Sequence, residues 1–362
     1  MEFGIVGLPF VGKTTLFNAL TQAHAETGHY AAGQQANRAV VRVSDPRLER
    51  LAETFRPKQV TPTTITYVDT GGLVPGAFQR GTMTPQFLAT LRTMDALVHV
   101  VRGFEDAAVP HEHGSVDPKR DLALLETELL LADLQVAESR LERLNRELRV
   151  KKDAELQRER ETLERCRSAL EAGRPLREVD LSPEEERLIR GFQFLTRKPM
   201  LIVLNVGEEE AAQEGALLER LGLEERPRVR ALVLSAQVEM ELAELPDEEA
   251  LAFREDLGLP PESALERVIR ESYALLDVIT FFTVNEREAR AWTIPRGATA
   301  LEAAGTIHSD MARGFIRAEV IPWDELVQLG SYAHAREAGK LRLEGKEYPV
   351  QDGEVLLIRF NV

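Results

Sequence analysis

Residues 7–14 read Gly7-Leu8-Pro9-Phe10-Val11-Gly12-Lys13-Thr14 and lie between an apolar strand, Phe3 to Val6, and a helical run that starts at Thr15. That spacing builds a phosphate-binding loop. Glycines let backbone N–H groups turn inward around the phosphates, a lysine neutralises the β and γ oxygens, and a hydroxyl ligates Mg²⁺. The helix that follows adds the positive end of its dipole. Residues Gly7 to Thr15 are therefore expected against the phosphates, with Lys13 as the catalytic cation and Thr14 on the metal. A glycine-rich turn is the bland alternative, and the strand–loop–helix setting argues against it.

Asp69-Thr70-Gly71-Gly72 follows a second apolar run, Thr64–Val68. An Asp at a strand end facing the loop can hold Mg²⁺ through water, and Gly72 can offer its N–H to a γ-phosphate. A capped strand-end turn has the same four residues, and the pairing with the phosphate loop favours the switch. Asn205-Val206-Gly207-Glu208 ends another strand where GTP-specific proteins carry Asn-Lys-x-Asp. Glu208 is one methylene longer than the Asp that accepts from guanine, and Val206 replaces the stacking Lys, so purine selectivity can shift toward adenine. Ser235-Ala236-Gln237, after the next strand, falls where such proteins close the base pocket with a backbone N–H.

Several elements must hold these groups. Apolar runs at Phe3–Val6, Ala39–Val43, Thr64–Val68, Ala96–Val101, Met200–Asn205 and Ala231–Leu234 alternate with helical stretches, which predicts α/β architecture around a mostly parallel sheet. Between them, Leu130, Leu134, Ala137, Leu141, Leu144 and Leu148, and then Leu156, Leu163, Cys166 and Leu170, step by three, four and seven as two seams. An antiparallel helical hairpin would bury both, with Cys166 as a small core residue. It reads equally as a spacer or as an arm that touches a partner. From Val278 short β runs return at Val278–Val284, Ala289–Ile294, Phe315–Val320, Lys340–Leu343 and Val355–Phe360, with Thr299–Met311 as one helix capped by Thr299. The expected domains are 1–120 with 199–277 for nucleotide, 121–198 for the inserted hairpin, and 278–362 for an α+β tail.

A 362-residue chain can bury several cores. Its formal charge of −15 argues against DNA and confines any RNA contact to a local patch. The lone cysteine excludes an internal disulfide framework, and no apolar run reaches membrane-spanning length. A soluble, cytoplasmic chain is expected, and a monomer, since the seams pair internally. His99 reads as a core residue, and His111 and His113 as loop residues.

Jointly, these strings resemble the YchF or Obg-like ATPase family, in the Obg group of translation-factor-related P-loop proteins. The resemblance runs end to end through Val11–Leu20, Asp45-Pro-Arg-Leu48, Val98–Arg102, Gly114–Pro118, Asn205-Val-x-Glu208, Phe281–Thr283, Arg290–Thr293, Gly314–Val320 and Gln351-Asp-Gly353. The last strings are similar to the family's TGS domain, a ubiquitin-like β-grasp module. The resemblance implies ATP in preference to GTP, slow Mg²⁺-dependent hydrolysis, and association with the ribosome or ribosomal RNA. It also implies that Leu73 stands where Ras-like enzymes place a water-orienting Gln. Leucine cannot hydrogen-bond a water, so slow intrinsic turnover is expected. The chain departs from the family at Phe10, where Asn is usual, at Thr14 for Ser, and at Gly33, where the Mg²⁺-ligating Thr falls. The second switch, Phe78–Pro85, carries bulky residues in place of glycines. A GTPase, and a module that binds nucleotide without hydrolysing it, remain as alternatives.

Overall fold

The computed structural model describes residues 1–22, 37–71, 76, 80, 84–111, 113–223 and 226–361. The strands in chain order are β1 (Glu2–Val6), β2 (Asn37–Arg42), β3 (Gln59–Thr61), β4 (Thr64–Asp69), β5 (Ala96–Arg102), β6 (Met200–Asn205), β7 (Val229–Leu234), β8 (Val278–Val284), β9 (Glu288–Pro295), β10 (Phe315–Pro322), β11 (Arg342–Glu344) and β12 (Glu354–Phe360). The helices of the first two hundred residues are α1 (Lys13–Gln22), α2 (Pro46–Phe55), α3 (Pro85–Thr93), α4 (Pro118–Val150), α5 (Ala154–Glu171) and α6 (Pro183–Ile189). Then come α7 (Glu214–Leu221), α8 (Ala236–Leu242), α9 (Asp247–Asp256), α10 (Ala264–Leu275), α11 (Ala300–Ile307), α12 (Ser309–Arg313), α13 (Trp323–Leu329) and α14 (Tyr332–Glu337).

Two compact units form: Met1–Val41 with Thr66–Leu275, and Arg42–Ile65 with Leu276–Val362. The first holds a six-stranded sheet in the order β2-β4-β1-β5-β6-β7, parallel where β4, β1, β5, β6 and β7 adjoin. Every residue of β5 and β6 is buried, as expected of central strands covered on both faces. Parallel pairing puts the carboxyl ends of β1, β4, β6 and β7 on one edge, where α/β sheets place their ligands. The α/β expectation is met.

The insert is the antiparallel hairpin α4–α5. Asp117 caps α4 by accepting from the Arg120 N–H at 3.1 Å, with Pro118 at the first helical position. The seams meet: Leu130, Ala137, Leu141, Leu144, Leu163, Cys166 and Leu170 share one core, closed below by Leu176, Ile189 and Phe194. Leu148 is only half-buried and lies outside that core, close to the end of α4 at Val150. Helix α6, which the heptad pattern did not reveal, carries Ile189 into the same core behind a Ser182–Glu185 capping box. Cys166 is a core residue, its thiol pushed up to about 11 by burial.

The second unit is α+β, with a mixed sheet ordered β11-β10-β12-β8-β9-β3. Residues 42–65, expected with the nucleotide domain, pack in this unit. β3 runs parallel to β9, and α2 puts Leu48 and Leu51 into a core with Phe282, Ala291 and Val355. Asp45 caps α2, and Arg47 reaches from there to Asp352 at 2.6 Å, whose other oxygen accepts from the Thr280 N–H. The single helix expected over Thr299–Met311 is two. Its Thr299–Glu302 capping box forms, but β-branched Thr306 and Ile307 precede an extended His308, whose ring accepts from the Asp310 N–H and starts α12.

Candidate functional site

The site is built from the sheet edge outward. β1 ends at Val6, and Gly7 turns the chain at φ 154°, where a Cβ would run into the Val100 carbonyl. Gly12, at φ 93°, leaves no room for a Cβ because the Asn205 carboxamide lies against it. Between them Val11 is buried, while Phe10 adopts φ 61° with its ring 60% exposed, a left-handed conformation unusual for a bulky residue. The Gly12 carbonyl accepts the first helical bond, from the Leu16 N–H at 2.9 Å. The N–H groups of Gly12, Lys13, Thr14 and Thr15 therefore have no acceptor in their own helix and form the positive end of α1. This is a cradle for an anion.

Lys13 is 7% exposed, and its ammonium donates to the Leu8 carbonyl at 2.6 Å. Burial holds it down at about 8, against an opposing pull from the Asp69 carboxylate. The Ile5–Asp69 register of β1 and β4 brings Asp69 beside the loop, where the Thr14 hydroxyl donates to its Oδ2 at 3.0 Å. Its Oδ1 accepts from the Gly71 N–H at 3.2 Å. A hydroxyl and a carboxylate, both hard oxygen donors next to a phosphate cradle, fit Mg²⁺. Gly72, Leu73 and Gly33 lie outside the described residues, as does most of Phe78–Pro85.

Asn205 ties the base side of the site to the phosphate side. It is 5% exposed; its Nδ2 donates to the Val11 carbonyl at 3.0 Å, and its Oδ1 accepts from the Ala236 N–H at 2.9 Å. Ser235 caps α8 through the Val238 N–H, and Ala236 is fully buried behind it. Val206 does not join the surface of the site: it is buried in the sheet core, its N–H on the Leu234 carbonyl. Glu208 is exposed, and its carbonyl accepts from the Ala211 N–H. Gln237 is exposed, its amide on Glu241 one turn along α8.

Motif reasoning missed one pair. Glu239 of α8 and Arg254 of α9 form a buried two-pronged ion pair at 2.9 and 2.7 Å, and Ser263 donates to the same carboxylate at 3.0 Å. The clamp holds the helix that starts at Ser235. Its partners come from separate helices, so no spacing signals it. The histidines hold no such role: His99 is buried in β5 and held down at about 3, chiefly by burial and then by the Arg177 and Lys13 charges, and His111 is bonded to Asp121 at 2.9 Å.

Residues 2–132 match the family described as 50S ribosome-binding GTPase, and residues 278–361 match YchF-GTPase_C, described as a protein of unknown function. The chain is 44% identical over 365 residues to the ribosome-binding ATPase YchF of Bacillus subtilis, covering 99% of each. It is 43% identical over 360 residues to the protein of that name from Escherichia coli O157:H7, again covering 99% of each. The solved structure of the Schizosaccharomyces pombe YchF GTPase superposes with a TM-score of 0.86 at 31% identity, covering 99% of this chain and 97% of that one. With relatives matched along their whole length and the loop, hairpin and tail all in place, the chain belongs to the YchF family.

Proposed function

We propose that this chain binds a purine nucleoside triphosphate with Mg²⁺, favours ATP over GTP, hydrolyses it slowly, and associates with the ribosome. The carrying observation is the juxtaposition at the sheet edge of the Lys13 ammonium, the Thr14–Asp69 pair and the Asn205 bridge. In this reading the N–H groups of Gly12 to Thr15 receive the β-phosphate, and Lys13 leaves the Leu8 carbonyl for the β/γ oxygens. Thr14 and Asp69 hold Mg²⁺, which when bound offsets negative charge on the phosphates. Asn205 keeps the phosphate loop and the Ser235–Ala236 turn in register, so that the base and phosphates are gripped together. Glu208, exposed after β6, replaces the aspartate that reads guanine, and this supports adenine. Leu73 offers no hydrogen bond to a water, which supports slow turnover.

The relatives are named ribosome-binding ATPases, and this supports the same association here. The domain reading that goes with it keeps nucleotide on the sheet of the first unit and leaves the hairpin and tail for the partner. GTP is the second reading, favoured by the intact Asn205 bridge. Separate titrations with fluorescent ATP and GTP decide between them, and tighter GTP binding would overturn the adenine assignment. Single-turnover hydrolysis no faster than that of Lys13→Ala would overturn the enzyme reading and leave a binding module.

A further inference from the structure

The hairpin ends in Arg143-Leu-Asn-Arg-Glu-Leu-Arg-Val-Lys-Lys152, five basic residues and one acidic one, in a chain whose formal charge is −15. All five basic residues are exposed. The acid among them, Glu147, is already held by Arg140 at 3.2 Å. Arg143 and Arg146 donate only to backbone carbonyls one turn up, those of Ser139 and Glu142, and Lys151 touches Asp153 at 3.1 Å. Among the described residues Arg143, Arg146, Arg149 and Lys152 have no carboxylate partner, whereas Arg140, Arg177 and Arg226 nearer the base each sit on one or two. A helix dipole accounts for a cation in the last turn, such as Arg149, but not for Arg143 or Arg146.

The sheet core takes Leu125, Leu129 and Ala132 from α4, and the hairpin's own core ends at Leu144. At 1.5 Å per residue the tip stands about 27 Å beyond Ala132. Concentrating uncompensated guanidinium groups there, on a stiff stem, gives a probe for a polyanion that the acidic remainder of the chain would repel.

We propose that the tip, Arg143 to Lys152, docks on the phosphate backbone of RNA. The inference rests on the ribosome association proposed above. Arginine predominates, and its planar fork suits phosphate oxygens. The single strongly exposed apolar side chain at the tip is Val150, so there is no apolar face to bury in a lipid surface. By contrast, Arg313 and Arg342 of the tail are spent on Asp310 and on Glu354 with Tyr348.

The test uses the full chain with R143Q/R146Q/R149Q/K152Q, beside an equal-charge control, K119Q/R174Q/R187Q/R190Q, drawn from other exposed positions. Three probes are measured: a labelled RNA stem–loop across a KCl series, salt-washed ribosomes by co-sedimentation, and phosphatidylserine–phosphatidylcholine vesicles. The tip variant should lose at least about tenfold in RNA affinity, and its slope of log K against log[KCl] should fall by about 2 to 3, while the control keeps both. ATP binding should be unchanged in either. Equal affinity and slope for wild type and tip variant, or wild-type binding to vesicles and not to RNA, would overturn the proposal. Failure of the wild type to sediment with ribosomes counts against the broader reading as well. Sedimentation of wild type and tip variant alike counts against the tip alone.

Discussion

Nucleotide binding should take up a proton above neutral pH, and Lys13 is the reason. Its ammonium is buried against the Leu8 carbonyl, and desolvation holds it at about 8, well below the ordinary lysine value. The folded-state value is depressed, so the nucleotide-free fold bears the cost of a buried charge in full below pH 8 and is relieved of it as the pH rises past 8. Phosphate oxygens restore the charged form. At pH 9 about nine-tenths of free Lys13 is neutral, so binding should take up about 0.9 proton and be about tenfold weaker than at pH 7, roughly 1.4 kcal/mol. The terminal phosphate titrates near pH 6 and contributes little in this range. Calorimetric titration of Mg²⁺–ATP in buffers of different ionisation enthalpy, from pH 7 to 9.5, reads the uptake directly. Lys13→Arg is the control, since its guanidinium stays charged throughout. No uptake in the wild type, or equal uptake in Lys13→Arg, would mean that Lys13 is not the group that takes up the proton.

Three further outcomes follow from the geometry. Asn205→Ala strands the buried Val11 carbonyl and Ala236 N–H and should cost about 2–4 kcal/mol in urea unfolding, together with weaker nucleotide binding; a loss under about 0.5 kcal/mol would mean the bridge is dispensable. Phe10→Gly relieves about 1–2 kcal/mol of left-handed strain and gives up the contacts of a ring already 60% exposed, so stability should hold or rise slightly. A fall of more than about 2 kcal/mol would show that the ring, not the backbone, sets the loop. Glu239→Gln leaves the Arg254 charge buried without its partner and should cost about 3 kcal/mol, whereas the double change E239L/R254M should cost less than half of that; equal costs would contradict a paired clamp.

Much of this molecule was legible in its residues because the informative contacts are local. The phosphate loop needs a strand, two glycines, a lysine and a hydroxyl within eight residues, and the hairpin seams repeat every three or four. What escaped reading depends on distance along the chain. β3 is a three-residue strand, Gln59–Thr61, whose partner, β9, lies more than two hundred residues away, so no local pattern says which sheet it joins. The Glu239–Arg254 clamp joins two helices across a turn. Val206, one residue past β6, is buried in the sheet core, a depth that its place in the motif does not reveal. At His308 a local competition ended the helix: a ring nitrogen took a backbone N–H that helix continuation would have used differently.

In the proposed function one sheet edge grips Mg²⁺–ATP through Lys13, Thr14 and Asp69 while Asn205 links the phosphate and base sides. A crystal structure with a non-hydrolysable ATP analogue and Mg²⁺ tests it most directly. The expected electron density has phosphates on the N–H groups of Gly12 to Thr15, the Lys13 ammonium moved from Leu8 to phosphate, Mg²⁺ beside Thr14 and Asp69, and the purine next to the Asn205–Ala236 turn. An analogue bound elsewhere, or one bound there with Lys13 still on the Leu8 carbonyl, would contradict it.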